Sequence, residues 1–193
     1  TDRFGSANSA YSFDGNDWIE TLAQNLPIGN SSRSVCYWVK RPVNTNDPQT
    51  TFHYGSVSQN NRFCSLVWGN AVTVIGEAND ACFGCGGSNF LNPVLAVNTW
   101  NSVVIVFDGQ LLQVYFNGEL SYTAIKNYNT VNGILKFGKS EDWHVNGEYL
   151  NGSLDDIAIF NRALTSAEIQ QLYTLGQTTY LWSNGATTPT INV

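Results

Sequence analysis

The sequence predicts an all-β domain, a two-sheet antiparallel sandwich with one short helix near its C-terminal end. Three observations predict it. Apolar and polar residues alternate with period two along most of the chain, the pattern of strands whose two faces meet different surroundings. Asp108-Gly109 and Asn117-Gly118 interrupt that alternation, and both pairs suit hairpin turns whose central residues need positive φ. A single stretch, Leu164 to about Tyr173, switches to helical spacing.

The elements follow in order. Ser9 to Phe13 reads as a short strand ended by Asp14-Gly15, and Ser34 to Lys40 as a strong one stopped before Pro42. Thr50 to Val57 and Arg62 to Trp68 flank a Gln59-Asn60-Asn61 turn, and Gly69-Asn70 leads into Ala71 to Ile75. Residues 77–98 read as a long loop rich in Gly, Asn and Cys. Trp100 to Phe107, Leu111 to Phe116 and Glu119 to Tyr122 form an antiparallel meander. Ile134 to Gly138 and Gly152 to Phe160 complete the strands. Val103 to Phe107 is apolar on both faces, which fits a strand covered by a second sheet. Trp38 and Trp100 match core positions at strand periodicity, and His53 reads as a packed or edge strand residue. In the helix, Thr165 has N-cap chemistry and Glu168 completes a capping box. Ile169, Leu172 and Tyr173 share a face, and Gly176 follows the end. Residues 1–176 are expected to be one domain. Residues 177–193, Thr-rich, are expected to be a linker or the start of a following Ig-like repeat; a final strand of the same domain is the alternative.

At 193 residues the chain can bury a sizeable core. Charged residues are only 12%, so Asn, Ser, Thr, Gln and Gly must dress the surface. The net charge is −6, with nine Lys and Arg and no basic run. That argues against nucleic acid, whose affinity comes from neutralised phosphates. No stretch approaches the apolar length of a membrane span, so no membrane insertion is expected. The four cysteines allow three pairings. Cys82–Cys85 with Cys36–Cys64 is the simplest; zinc binding and free thiols are the alternatives.

Three segments in order carry a family resemblance: Ser9 to Ile19, Asn98 to Gly118, and Asn151 to Thr165 continuing to Tyr173. The third is the most specific, with strand, acidic pair, Asn-Arg-Ala-Leu and helix in one order. Together they resemble the LamG-like (laminin-G/pentraxin-type) branch of the concanavalin A-like superfamily. The resemblance implies a jelly roll of two antiparallel sheets, often holding calcium and binding glycans or proteins. It does not fix a ligand, because this fold hosts many functions.

The resemblance also implies that the first and last strands are neighbours. On that basis Asp14, Asn16, Asp155 and Asp156 are expected to hold Ca2+, because hard oxygen donors on a turn suit that ion. The competing reading is that Asp14-Gly15 and Asn16-Asp17 only form a turn and Asp155 accepts hydrogen bonds from loop amides. A second candidate surface is the loop from Ser140 to Tyr149. Trp143, His144 and Tyr149 lie there beside Glu141, Asp142 and Glu148, with Phe83 from the cysteine loop. Aromatic faces beside hydrogen-bonding groups suit a sugar; aromatics that lid their own loop are the alternative.

No pair of carboxylates at the spacing of a glycosidase strand is present, and no nucleophile elbow. Glu141 and Glu148 could pair only from a loop. The expectation is therefore a non-catalytic carbohydrate-binding or adhesion module, calcium-stabilised, secreted or at a cell surface, and monomeric as an isolated domain. Its partner would be a glycan or glycoprotein. A protein-interaction or spacer domain is the alternative, and a glycoside hydrolase or polysaccharide lyase a further one.

Overall fold

A computed structural model describes residues 1–22, 24–43, 45–56, 61–69, 71–76, 95–140 and 148–176. The expectations for Cys82, Cys85, Phe83, Glu141, Asp142, Trp143, His144 and the segment 177–193 lie outside these residues.

The fold is an antiparallel jelly-roll sandwich of eleven strands and one helix among the described residues. The strands are β1 (Tyr11–Asp14), β2 (Ile19–Leu22), β3 (Arg33–Lys40), β4 (Thr45–Gly55), β5 (Arg62–Gly69) and β6 (Ala71–Ile75). β7 (Asn101–Phe107), β8 (Leu111–Phe116), β9 (Glu119–Ile125), β10 (Ile134–Phe137) and β11 (Asn151–Phe160) follow, then α1 (Ser166–Thr174). One sheet runs β1-β11-β3-β7-β8-β9 and the other β2-β10-β4-β5-β6. The expected meander is β7-β8-β9, turned at Gly109 and Gly118, both at positive φ.

Alternation decides what each strand buries. Val35, Tyr37 and Val39 of β3 face the other sheet, with Phe52 and Tyr54 of β4 and Phe63 and Val67 of β5. Val103, Ile105 and Phe107 of β7 join that inner core. Val104 and Val106 point the other way, onto Leu164 and Ile169. The double-sided apolar run of β7 is thus covered by the second sheet on one face and by the helix on the other. Ile169 is fully buried, which stabilises the helix docking by about 2 kcal/mol.

The capping box is formed. Thr165 accepts from the Glu168 amide at 3.3 Å, and the Thr165 amide donates to Glu168 Oε2 at 2.8 Å. Arg162 donates to the same carboxylate at 2.7 Å.

Two expectations are corrected by the same alternation. Trp38 lies on the outer face with Cys36, stacked on Tyr173 of the helix at 5.7 Å, and Trp100 is half-buried with its Nε1 donating to the Asp2 carbonyl. Neither belongs to the inter-sheet core. The Cys36–Cys64 disulfide is not formed. Cys36 packs beneath the helix, whereas Cys64 packs with Leu66 and Ile75 on the far face of the other sheet. The whole sandwich separates the two sulfurs. His53 is fully buried, as the packed reading expects.

Candidate functional site

The chain crosses between the sheets twice at one corner. The Asp14–Ile19 turn carries it from β1 to β2, while Gly138 to Ser140 leave β10 and Glu148 to Leu150 enter β11. Because β1 pairs with β11 and β2 with β10, the two crossovers lie side by side. Residues about 120 positions apart in sequence meet there.

Gly138 fixes the second crossover. Its φ is +85°, and a Cβ there would stand 2.6 Å from the Phe13 ring. Its amide donates to the Thr51 carbonyl at 3.2 Å, and its own carbonyl accepts from Leu150 at 2.9 Å. The segment is therefore closed at its base, with Lys139 and Tyr149 held on either side of that closure. Glu148, at φ +47°, is buried, with its carbonyl accepting from the Thr50 amide at 2.8 Å. Its carboxylate meets Thr50 Oγ1 at 3.4 Å.

Trp18, 42% exposed, stands over this closure. Its ring centre is 6.0 Å from that of Tyr149, with the planes inclined at 53°. The Lys139 ammonium sits in the angle between them, 4.1 Å from the Trp18 centre and 5.4 Å from the Tyr149 centre. Trp18 Nε1 donates to Glu20 Oε2 at 3.2 Å, and Lys136 Nζ lies 3.1 Å from the same oxygen. The Lys136 hydrogen bond, then that of Trp18, holds the Glu20 carboxyl below its ordinary range. Glu20, Lys136 and His53 are cross-strand neighbours in one row over β2, β10 and β4. His53 Nδ1 lies 3.3 Å from Ser140 Oγ. The arrangement offers two inclined aromatic faces, a cation and a carboxylate around the exposed Trp18 ring, groups that suit a sugar ring's stacking and hydrogen bonding.

Of the sequence-predicted ligand residues, Tyr149 is in this cluster. Trp18, Glu20, Lys136 and Lys139 were not foreseen. A signal for Trp18 was present, since a tryptophan directly after the Asp-Gly-Asn-Asp turn has few ways to be covered.

The expected calcium set does not assemble as one site. β1 and β11 are neighbours, but Asp14 pairs with Asn151 and Tyr11 with Leu154. Asp155 is four residues beyond Asn151, about 13 Å along the strand. At that far end Asp155 Oδ2 accepts from the Arg3 amide at 3.0 Å and Oδ1 from the Asp156 amide at 2.9 Å. Arg3 Nε donates to Asp156 Oδ2 at 2.7 Å, and Arg3 Nη2 to the Leu175 carbonyl at 2.6 Å. The Asp14 turn uses its carboxylates locally. Asp17 Oδ1 accepts from the Asp14 amide at 3.0 Å, and Asp14 Oδ1 from the Asn16 amide at 3.3 Å. Among the described residues no three His, Cys, Asp or Glu cluster as metal ligands. The donors therefore do not fit a single ion held by all four residues.

Comparison with known proteins gives a consistent picture of the fold. Domain 4 of AbnA, a GH43 extracellular arabinanase from Geobacillus stearothermophilus, solved with arabinotriose, superposes with a TM-score of 0.65. Sequence identity is 20%, and 85% of this chain and 76% of that one are covered. A native heptameric SAP-like pentraxin from Limulus polyphemus gives 0.64 at 17% identity, covering 84% and 80%. A putative carbohydrate binding protein from Bacteroides ovatus gives 0.62 at 14%, covering 84% of this chain and 46% of that one. No curated protein matches the chain. The laminin-G-type model of the concanavalin A-like lectin/glucanases superfamily matches residues 13–170. With its two antiparallel sheets and that match over most of its length, the chain belongs to the concanavalin A-like lectin/glucanases superfamily.

Proposed function

We propose that this chain is a non-catalytic carbohydrate-binding module of an extracellular or cell-surface protein, and that the Trp18–Tyr149 corner holds the sugar. The observation that carries the reading is the exposed Trp18 ring, pinned by Glu20 through its Nε1 and inclined to Tyr149 at 6.0 Å. An aromatic face that is open yet fixed in orientation binds a sugar at little cost in ordering. Glu20, held by the buried Lys136, stands beside it to meet hydroxyls. Fold relatives described as a carbohydrate binding protein and as an arabinanase domain solved with arabinotriose support the reading.

A glycan array tests it, run on the parent chain, Trp18→Ala and Tyr149→Ala, each with calcium or with EDTA. Binding by the parent that falls at least about tenfold in Trp18→Ala supports the corner. Loss on chelation would bring calcium into the proposal at the Asp14 turn. Binding unchanged in both aromatic variants would move the site elsewhere. A parent that binds no glycan would favour a protein-interaction domain. Polysaccharide cleavage lost in Glu141→Gln would replace binding by catalysis.

A further inference from the structure

We propose that the sugar taken at this corner is carboxylated, of the uronate or sialate class, and that Lys139 receives its carboxylate. The proposal rests on the glycan reading above and adds the ligand's charge to it.

Lys139 carries the argument. Its ammonium lies against the Trp18 and Tyr149 rings, 4.1 and 5.4 Å from their centres. No carboxylate among the described residues forms an ion pair with it. Glu20, the acid bonded to Trp18, already faces Lys136 at 3.1 Å. An ammonium has three donors and no acceptor, and ring faces satisfy none of them as an anion would. Among the described residues, Lys139 is thus a cation set in position with no anion on its donors.

The overall charge narrows the class. The chain carries −6 with nine Lys and Arg. A densely sulfated polymer would meet repulsion from most of the surface. One carboxylate on a ring that stacks at Trp18 meets a local cation instead. Glu20 sets the opposite limit, because a second negative group near Trp18 Nε1 would face its carboxylate.

Calorimetry on the full chain tests this with two matched probe pairs: trigalacturonate against galactotriose, and 3′-sialyllactose against lactose. Each is measured at low and high salt with the parent, Lys139→Gln, Lys139→Arg and the distant Lys126→Gln. The expected result is roughly tenfold tighter binding of an acidic probe than of its neutral partner. That preference is lost in Lys139→Gln, kept in Lys139→Arg and Lys126→Gln, and weakened by salt. Preference in the first pair only identifies uronates, and in the second only, sialates; either supports the proposal. Equal affinities within both pairs for the parent overturn it, as does an equal loss in Lys126→Gln. In those cases the corner itself still stands or falls by Trp18→Ala on the neutral probes. Thermal melts of each variant separate lost binding from lost folding.

Discussion

Arg3 Nε lies 2.7 Å from Asp156 Oδ2, and the same guanidinium sits 4.5 Å from the centre of the Trp38 ring. The contact bridges the start of the chain and the irregular point of β11. There the register with β3 shifts between Asp155 and Ala158, and Asp156 takes φ +46°. Two adjacent acids on one strand are relieved by a cation from 153 positions away.

The Arg3 side chain is nearly covered while Asp156 is half exposed, so packing and hydrogen bonds matter more than charge. Arg3→Ala is predicted to lower stability by about 1–2 kcal/mol in urea unfolding. Arg3→Lys should fall between the two, since it keeps the charge but not the planar fork. Coincident unfolding curves for Arg3→Ala and the parent would show that the clasp contributes nothing.

Glu168 should leave a mark on acid stability. Its hydrogen bond to Arg162, then those from Thr165, hold its carboxyl at about 2 against an ordinary 4.5. A depressed carboxyl stabilises the fold fully above its ordinary value, and that contribution disappears as pH falls toward 2. The stability gap between the parent and Glu168→Gln should therefore narrow between pH 4.5 and 2. A gap that stays constant over that interval would contradict the assignment.

Cys36 should be inert in the native protein. Burial pushes its thiol up to about 12, so the reactive thiolate is scarce near neutrality. Native protein at pH 8 should leave Cys36 unlabelled by an aromatic disulfide reagent, with labelling appearing on unfolding. Non-reducing peptide maps should recover its peptide without a link to the Cys64 peptide.

Arg33 is fully buried between the sheets. It donates to Tyr54 Oη, Thr130 Oγ1 and the Gly29 and Ser31 carbonyls, between the Phe63 and Phe107 rings. Arg33→Leu would leave those acceptors buried without their donor. A loss of about 2–4 kcal/mol is predicted, read as a lowered urea midpoint. A loss below that of Arg3→Ala would mean water replaces the guanidinium.

The strands with long alternation and paired turns, β7 to β9, were legible because local pattern and turn chemistry agree. The helix was legible from Thr165 and Glu168 for the same reason. β2 was missed, since four residues ending in exposed Thr21 and Leu22 carry too little alternation to stand out. Trp38 shows a different limit. Periodicity tells which residues share a face, but not which face meets the other sheet. The acidic pair Asp155-Asp156 meets a positive charge. Its source, Arg3, is a tertiary fact with no trace in local sequence. The meeting of Trp18 with Lys139 was likewise hidden, because only the pairing of β2 with β10 brings them together.

The bond from Arg3 to the Leu175 carbonyl splices the first and last described turns of the fold at one pole. Tyr149 precedes Asp155, which Arg3 also holds, by six positions, about 20 Å at strand rise. Separating Arg3 from Leu175 would thus break this bond before it reached the β1–β11 pairing. The clasp and the Trp18–Tyr149 corner are thus separate fixtures of the fold, so loosening one leaves the other's contacts in place.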